Sequence, residues 1–236
     1  MPRSHRFDQD TGTHASMLNK LRAAVLGAND GIISTAGLVM GVAGATTNTA
    51  ALATAGIAGL VAGAISMAVG EYVSVSAQRD SERALLAKEQ FELDTMPDEE
   101  LAELTGLLRE KGLSEQTALQ AARELTAHDA LAAHADIELR LDPHDLTSPT
   151  HAAIASLLAF AAGALIPLLA MVLTPPDSRV AVTAVAVLVA LFLTGFGSAR
   201  AGDAPVARAI VRNVVGGILA MGITFAIGTL VGTQIG

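Results

Sequence analysis

The sequence predicts an all-α, polytopic membrane protein with five transmembrane helices and one acidic, cytoplasmic three-helix module. Three observations predict it. Seventeen of the 23 carboxylates fall between Gln78 and Thr150, and long, almost uncharged apolar stretches lie on both sides. Apolar residues make up 51% of the chain while aromatics make up only 3%. The apolar mass is therefore Ala, Val, Leu, Ile and Gly, which suits helices packed closely in lipid better than the aromatic-filled core of a soluble domain. Mean hydropathy is +0.48, although the central acidic segment pulls it down.

From the N-terminus, Met1 to Lys20 has no apolar core and no small-residue cleavage site. It reads as a cytoplasmic tail over 1–21 and not as a signal peptide. Five apolar segments follow, at about 22–45, 50–77, 151–174, 179–199 and 206–232, each close to the length needed to cross ~30 Å of hydrocarbon. Ala181 to Phe196 carries no charge at all. The domains expected are thus the tail, two spans over 22–77, the acidic module over 78–150, and three spans over 151–236.

Basic residues orient the spans. With five crossings, Arg3, Arg6, Lys20, Arg22, Arg79, Arg83, Lys88, Arg109, Lys111, Arg123, Arg140, Arg200, Arg208 and Arg212 share one side, and only Arg179 falls on the other. The positive-inside rule puts the N-terminus and the module in the cytoplasm. Gly27/Gly31, Gly37/Gly41 and Gly59/Gly63 are G-x-x-x-G pairs, which predict that the first two spans meet tightly. Pro167 lies inside the third span, where it predicts a kink.

Charge also excludes functions. The net charge is −8 and no basic patch carries interleaved aromatics, which argues against nucleic acid as a partner. Cysteine is absent, so thiolate metal sites and disulfides are ruled out. No nucleophile–base constellation or phosphate-binding glycine loop is visible, so neither an enzyme nor an ATP-driven pump is expected.

Two acids interrupt the spans, where an uncompensated charge costs roughly 3 kcal/mol or more. Asp30 lies about eight residues into the first span, with Ser34 one turn on. In the second span Met67, Glu71, Ser74 and Gln78 share one helix stripe. The two helices run in opposite directions, so Asp30 and Glu71 fall at similar depth, with Met67 one turn deeper. Two carboxylates and a thioether suit a transition-metal dication better than magnesium or calcium.

The module reads as amphipathic helix throughout. The second span is expected to continue to about Asp94. Pro97 stops it and opens another helix with Thr95 as cap, and Gly112 ends that helix. Ser114 caps a third, which is expected to run to about Leu141. Glu89 and Glu92 form E-x-x-E, and Glu100 and Glu103 repeat it eleven residues on, so the turn at Pro97 can face the pairs toward each other. His134 and Glu138 stand at i, i+4, a spacing that can chelate one metal. The alternative for any acid-rich helix is a solvated charged face.

Four segments carry a family resemblance: Gly27-Ala28-Asn29-Asp30-Gly31 with Ser34-Thr35; Ser66-Met67-Ala68-Val69-Gly70-Glu71-Tyr72-Val73-Ser74-Val75; the doubled E-x-x-E around Pro97; and Gly163-Ala164-Leu165-Ile166-Pro167-Leu168. Together they make the chain similar to the vacuolar iron transporter family over nearly its whole length. The resemblance implies a five-span homodimer in a lipid bilayer that exchanges iron(II), and often manganese(II), for protons. It implies a pathway through Asp30 and Met67 with Glu71 nearby, and metal binding by Glu89, Glu92, Glu100, Glu103 and Glu138. No cofactor is expected beyond the Fe²⁺ or Mn²⁺ that is bound or carried. One departure stands out. Where the family pattern has two consecutive Met residues before the last Glu, this chain has His134-Ala135. Imidazole in place of sulfur opens the selectivity toward manganese or zinc. The expected location is a bacterial plasma membrane. Two rivals are a membrane-anchored metal buffer or sensor without transport, and a proton-coupled transporter of an organic cation.

Overall fold

The computed structural model describes residues 11–143, 147–202 and 204–235. It is all-helical: α1 (Thr11–Ala45), α2 (Thr49–Thr95), α3 (Pro97–Glu110), α4 (Glu115–His134) with a π-helical turn (Ala135–Leu139), α5 (Pro149–Leu173), α6 (Arg179–Ala201) and α7 (Val206–Ile235). The chain divides into two compact units, a membrane unit of 13–73 with 149–236 and a module that contains 74–148.

Among the described residues, five helices have stretches long and apolar enough to cross a bilayer. They are Ala23–Ala45 of α1, α2, α5, α6 and Val206–Gln234 of α7. At 1.5 Å per residue, the 23 residues of Ala23–Ala45 span about 35 Å. α1 opens at Thr11, so the stretch expected as tail is helical from there. Leu18, Lys20, Leu21 and Arg22 are strong helix formers, and no proline interrupts the run. Residues 1–10 of that expected tail lie outside the described residues.

The membrane unit centres on Ile32, Ala36, Val39 and Met40 of α1, packed with Leu52, Met171, Val187, Leu191 and Met221. Its glycine contacts differ from the expectation that the first two spans meet through G-x-x-x-G pairs. A Cβ on Gly31 would run into the Phe160 carbonyl, and one on Gly163 into that of Ala28, so α1 and α5 touch backbone to backbone. Further along α1, Gly41 is met by the Thr224 backbone of α7, and a Cβ on Gly228 of α7 would strike the Gly41 carbonyl. The α1 glycines thus serve two other helices. On α2, Gly59 makes room for the Leu38 side chain and Gly63 for the Phe160 ring. A G-x-x-x-G pair marks a close approach without naming the partner: the α1 pairs meet α5 and α7, and on α2 Gly59 faces α1 while Gly63 faces α5.

Arg179, the one basic residue expected on the far side, is buried. Its guanidinium donates to the Thr47 carbonyl at 3.4 Å and to Thr49 Oγ1 at 3.1 Å, which ties the start of α6 to the α1–α2 loop. Its charge is used inside the protein. α5 continues through Pro167, which is buried within the helix.

In the module, Pro97 takes the first turn of α3, where its missing N–H leaves no bond unmade. Thr95 is not the cap. Its hydroxyl donates back to the Phe91 carbonyl at 2.7 Å, and Met96 holds the N-cap position without a side-chain bond. Gly112 adopts φ +99°, a left-handed conformation that a Cβ would strain, and so allows the chain to reverse into α4. Ser114 caps α4 by accepting from Thr117 N. The third helix does not run unbroken to Leu141. It breaks at Asp129 (φ −160°, ψ 98°), restarts with Asp129 Oδ1 accepting from Ala132 N at 2.9 Å, widens into the π-turn, and ends at Arg140 in a left-handed conformation. Asp is a strong N-cap, so one side chain both ends the first half and seeds the second.

Candidate metal centre

The break at Asp129 and the π-turn shape the last part of the module, and with it the position of His134. A π-turn inside a helix commonly marks a functional position. His134 is fully buried, and its Nδ1 lies 2.8 Å from Glu89 Oε1, 3.5 Å from Glu138 Oε2 and 3.6 Å from Glu100 Oε2. Glu89 of α2 and Glu100 of α3 are only 3% and 5% exposed. Carboxylates in that state require a cation, a proton or strong hydrogen bonds. Yet His134 Nδ1 and Nε2, Glu89 Oε1 and Glu138 Oε2 have no hydrogen bond of good geometry among the described residues. One ligand atom each from Glu89, Glu100 and His134 falls within 4.8 Å of the others.

The separations have a simple reading. Donor atoms ~2.1 Å from a shared ion stand about 3.0 Å apart at right angles and about 3.4 Å apart in a tetrahedron. The 2.8–3.6 Å spacing around Nδ1 is on that scale. Three carboxylates and one imidazole form a hard-to-borderline donor set, suited to Mn²⁺, Fe²⁺ or Zn²⁺.

The doubled E-x-x-E does not act as two equal pairs. Its first members, Glu89 and Glu100, are buried. Its second members point elsewhere: Glu92 accepts an ion pair from Lys88 Nζ at 2.6 Å, and Glu103 is exposed. Residues three apart differ by about 60° around a helix, enough for one to enter a core while the other stays at its rim.

Burial pushes the Glu89 carboxyl above the ordinary 4.5, with the Glu138 charge adding to the rise. Burial also raises Glu100, helped by Glu103. An acid with a raised folded-state pKa holds its proton more tightly when folded. Its contribution is complete below about pH 4.5 and is lost as pH climbs through the raised value. Metal-free protein should therefore lose stability as pH rises from 4.5 toward neutral. Metal affinity should move the other way, because each ion displaces protons. Thermal melts and manganese(II) titrations across pH 5–8 check both signs.

A cleft of about 200 Å³ lies in the membrane unit. Asp30, Ser34, Thr35 and Leu38 of α1, Gly59, Gly63, Ser66 and Met67 of α2, and Phe160 of α5 line it. Asp30 and Met67, which the sequence placed on separate spans, share this cleft. Glu71 is half-buried one turn from Met67 and is not among the lining residues. Met67 packs beside the Ala64–Phe160–Ala164 cluster. The Asp30 carboxylate has no hydrogen-bond or ion-pair partner among the described residues, and Ser34 Oγ donates to its backbone carbonyl at 2.5 Å.

A sequence profile described as the VIT family matches residues 21–229. The chain belongs to the VIT family. It is 42% identical over 212 residues to a vacuolar iron transporter of Acanthamoeba castellanii, covering 89% of this chain and 78% of that one. It is 37% identical over 229 residues to vacuolar iron transporter homolog 4 of Arabidopsis thaliana, covering 96% and 92%. It is 41% identical over 215 residues to vacuolar iron transporter homolog 1 of Oryza sativa subsp. japonica, covering 90% and 74%. With its five apolar spans, the chain is an integral membrane protein.

In this VIT-family chain, sequence reasoning overlooked two features beside the sites. Lys88 stands at i, i+4 to Glu92, a spacing plainly visible in the sequence, and its ammonium also feels the Glu89 and Glu138 charges. Lys88→Gln should free Glu92 and tighten manganese(II) binding by roughly three- to tenfold, the scale of one exposed charge acting on a dication. Calorimetry on the full chain in detergent reads the change, and unchanged affinity would leave the pair as surface decoration. The other feature is Asn29, whose Oδ1 accepts from Thr194 and Asn213 on the last two spans.

Proposed function

We propose that this protein carries divalent transition-metal ions, iron(II) and manganese(II) foremost, out of the cytoplasm in exchange for protons, as a homodimer. The buried convergence of Glu89, Glu100 and Glu138 on His134 carries this reading, because its donor spacing suits one ion. The relatives named as iron transporters support the choice of cargo. His134 adds an imidazole where the family pattern has sulfur, so manganese(II) and zinc(II) should compete well with iron(II). In this reading the module concentrates ions, and Asp30, Met67 and Glu71 serve their passage through the membrane.

The fourteen-to-one split of basic residues supports a cytoplasmic module and therefore outward transport. In the bacterial plasma membrane expected from the sequence, that direction is export from the cell. Proton exchange is supported by the position of Asp30 inside a membrane span: a carboxylate there is stable with a metal or a proton, and alternating between them would couple the two flows.

The dimer is supported by the surface around the cleft. Asp30, Ser34 and Ser66 are exposed in a single subunit, on a unit that also exposes Ile57, Val61, Ile65 and Val69 of α2. A carboxylate does not face hydrocarbon without a large penalty. A second copy would cover the cleft and leave a polar path between the subunits.

Proteoliposomes loaded with a metal-sensitive dye test the reading directly. Uptake of iron(II), manganese(II) and zinc(II) should be saturable and should rise with an opposing proton gradient. Binding without flux would favour the membrane-anchored buffer or sensor, and flux indifferent to the gradient would remove the antiport.

A further inference from the structure

Three consecutive residues of α1 face three different surroundings. Successive helical positions point about 100° apart. Gly31, with Gly27 one turn earlier, lies against the α5 backbone at Ser156, Phe160 and Ala164. Asp30 lines the cleft shared with α2. Asn29 points toward α6 and α7. Its Oδ1 accepts from Thr194 Oγ1 at 2.7 Å and from Asn213 Nδ2 at 3.4 Å. Asn213 is buried, and the Thr194 hydroxyl leaves a longer option, the Leu191 carbonyl at 3.2 Å, as its secondary contact.

Glycine–backbone contacts bring helices close but resist rotation poorly, because they offer no interlocking side chain. Directional bonds between polar side chains from three helices do resist it. We infer that Thr194 and Asn213 are positioning residues: through Asn29 they set the rotation of α1 and thereby hold Asp30 toward the cleft. A turn of α1 that broke these bonds would swing Asp30 toward a glycine-tight or apolar neighbour. The polar clamp on one side of the helix and the carboxylate on the next then work as one device. Its effect on transport rests on the pathway reading for Asp30, whereas its effect on helix orientation does not.

The chain contains no cysteine, so one introduced thiol reports orientation cleanly. Ser34→Cys places it at a cleft-lining, exposed position one turn from Asp30. Labelling by a water-soluble maleimide is measured in the full-length protein in liposomes, with Thr194 intact and with Thr194→Val, Thr194→Ser or Thr194→Val plus Asn213→Leu. Thr194→Val keeps the shape and removes only the hydroxyl, so it serves if the double variant does not fold. Manganese(II) flux is measured in the same Thr194 and Asn213 variants with Ser34 intact. The expected result is labelling slowed about tenfold and flux reduced at least as much in the valine variants, with both restored by Thr194→Ser. A lowered melting temperature with unchanged labelling would overturn the inference and leave the triad as a stabilising pin. Changed labelling with unchanged flux would uphold the orientation lock and instead sink the role of Asp30 in transport.

Discussion

Asp30→Asn should abolish divalent-metal flux while the protein stays folded. The substitution keeps the size of the side chain and its capacity to hydrogen-bond, and removes only the charge. Nothing in the fold depends on that charge: the carboxylate has no partner among the described residues, and the local contacts of α1 are made by Gly27, Asn29 and Gly31. On the proposed pathway, a metal ion shedding water in the cleft would depend on it heavily. An uncompensated charge in the hydrocarbon costs roughly 3 kcal/mol or more, and 1.4 kcal/mol is a factor of ten, so the loss should be at least about a hundredfold. Circular dichroism and size-exclusion profiles confirm the fold, and dye-based flux in liposomes gives the rate. Wild-type flux from a folded Asp30→Asn protein would end the assignment of the cleft as the pathway.

The second large effect is expected at His134. His134→Ala takes away the one nitrogen donor at the point where three carboxylates converge. Loss of a group that merely orients a metal ligand lowers affinity by ~10–100-fold, so loss of a ligand should exceed about a hundredfold. The variant should also be less stable without metal, because it opens a cavity beside the buried Glu89 and Glu100 where the fully buried imidazole stood. Calorimetric titration with manganese(II) and zinc(II) measures the first effect and thermal melts the second. His134→Met separates ligation from packing: it fills the space with a thioether and should shift preference toward iron(II) over manganese(II). If alanine, methionine and histidine at 134 give the same affinities, the imidazole is not a ligand, and the three acids must bind by themselves.

Much of this protein was legible in its sequence because much of it depends on local properties. The five spans follow from the transfer energy of apolar runs. The turn at Pro97 and the reversal at Gly112 follow from backbone chemistry that acts within a few residues. His134 and Glu138 were visible as an i, i+4 pair, and the doubled E-x-x-E marked the helices that surround them.

What the sequence left open depends on which neighbour a helix meets. Period 3.6 places Glu89 and Glu92 on nearly the same face, but only the arrival of α3 and α4 makes Glu89 buried and leaves Glu92 to Lys88. The glycines of α1 announced close packing, and only the fold assigned them to α5 and α7. Asn29 and Asp30 are adjacent polar residues in one motif. Tertiary structure alone gave one to Thr194 and Asn213 and the other to the cleft. A sequence encodes the angle at which a side chain leaves its helix, whereas what waits at that angle is supplied by residues on other helices, for Asn29 more than a hundred positions away.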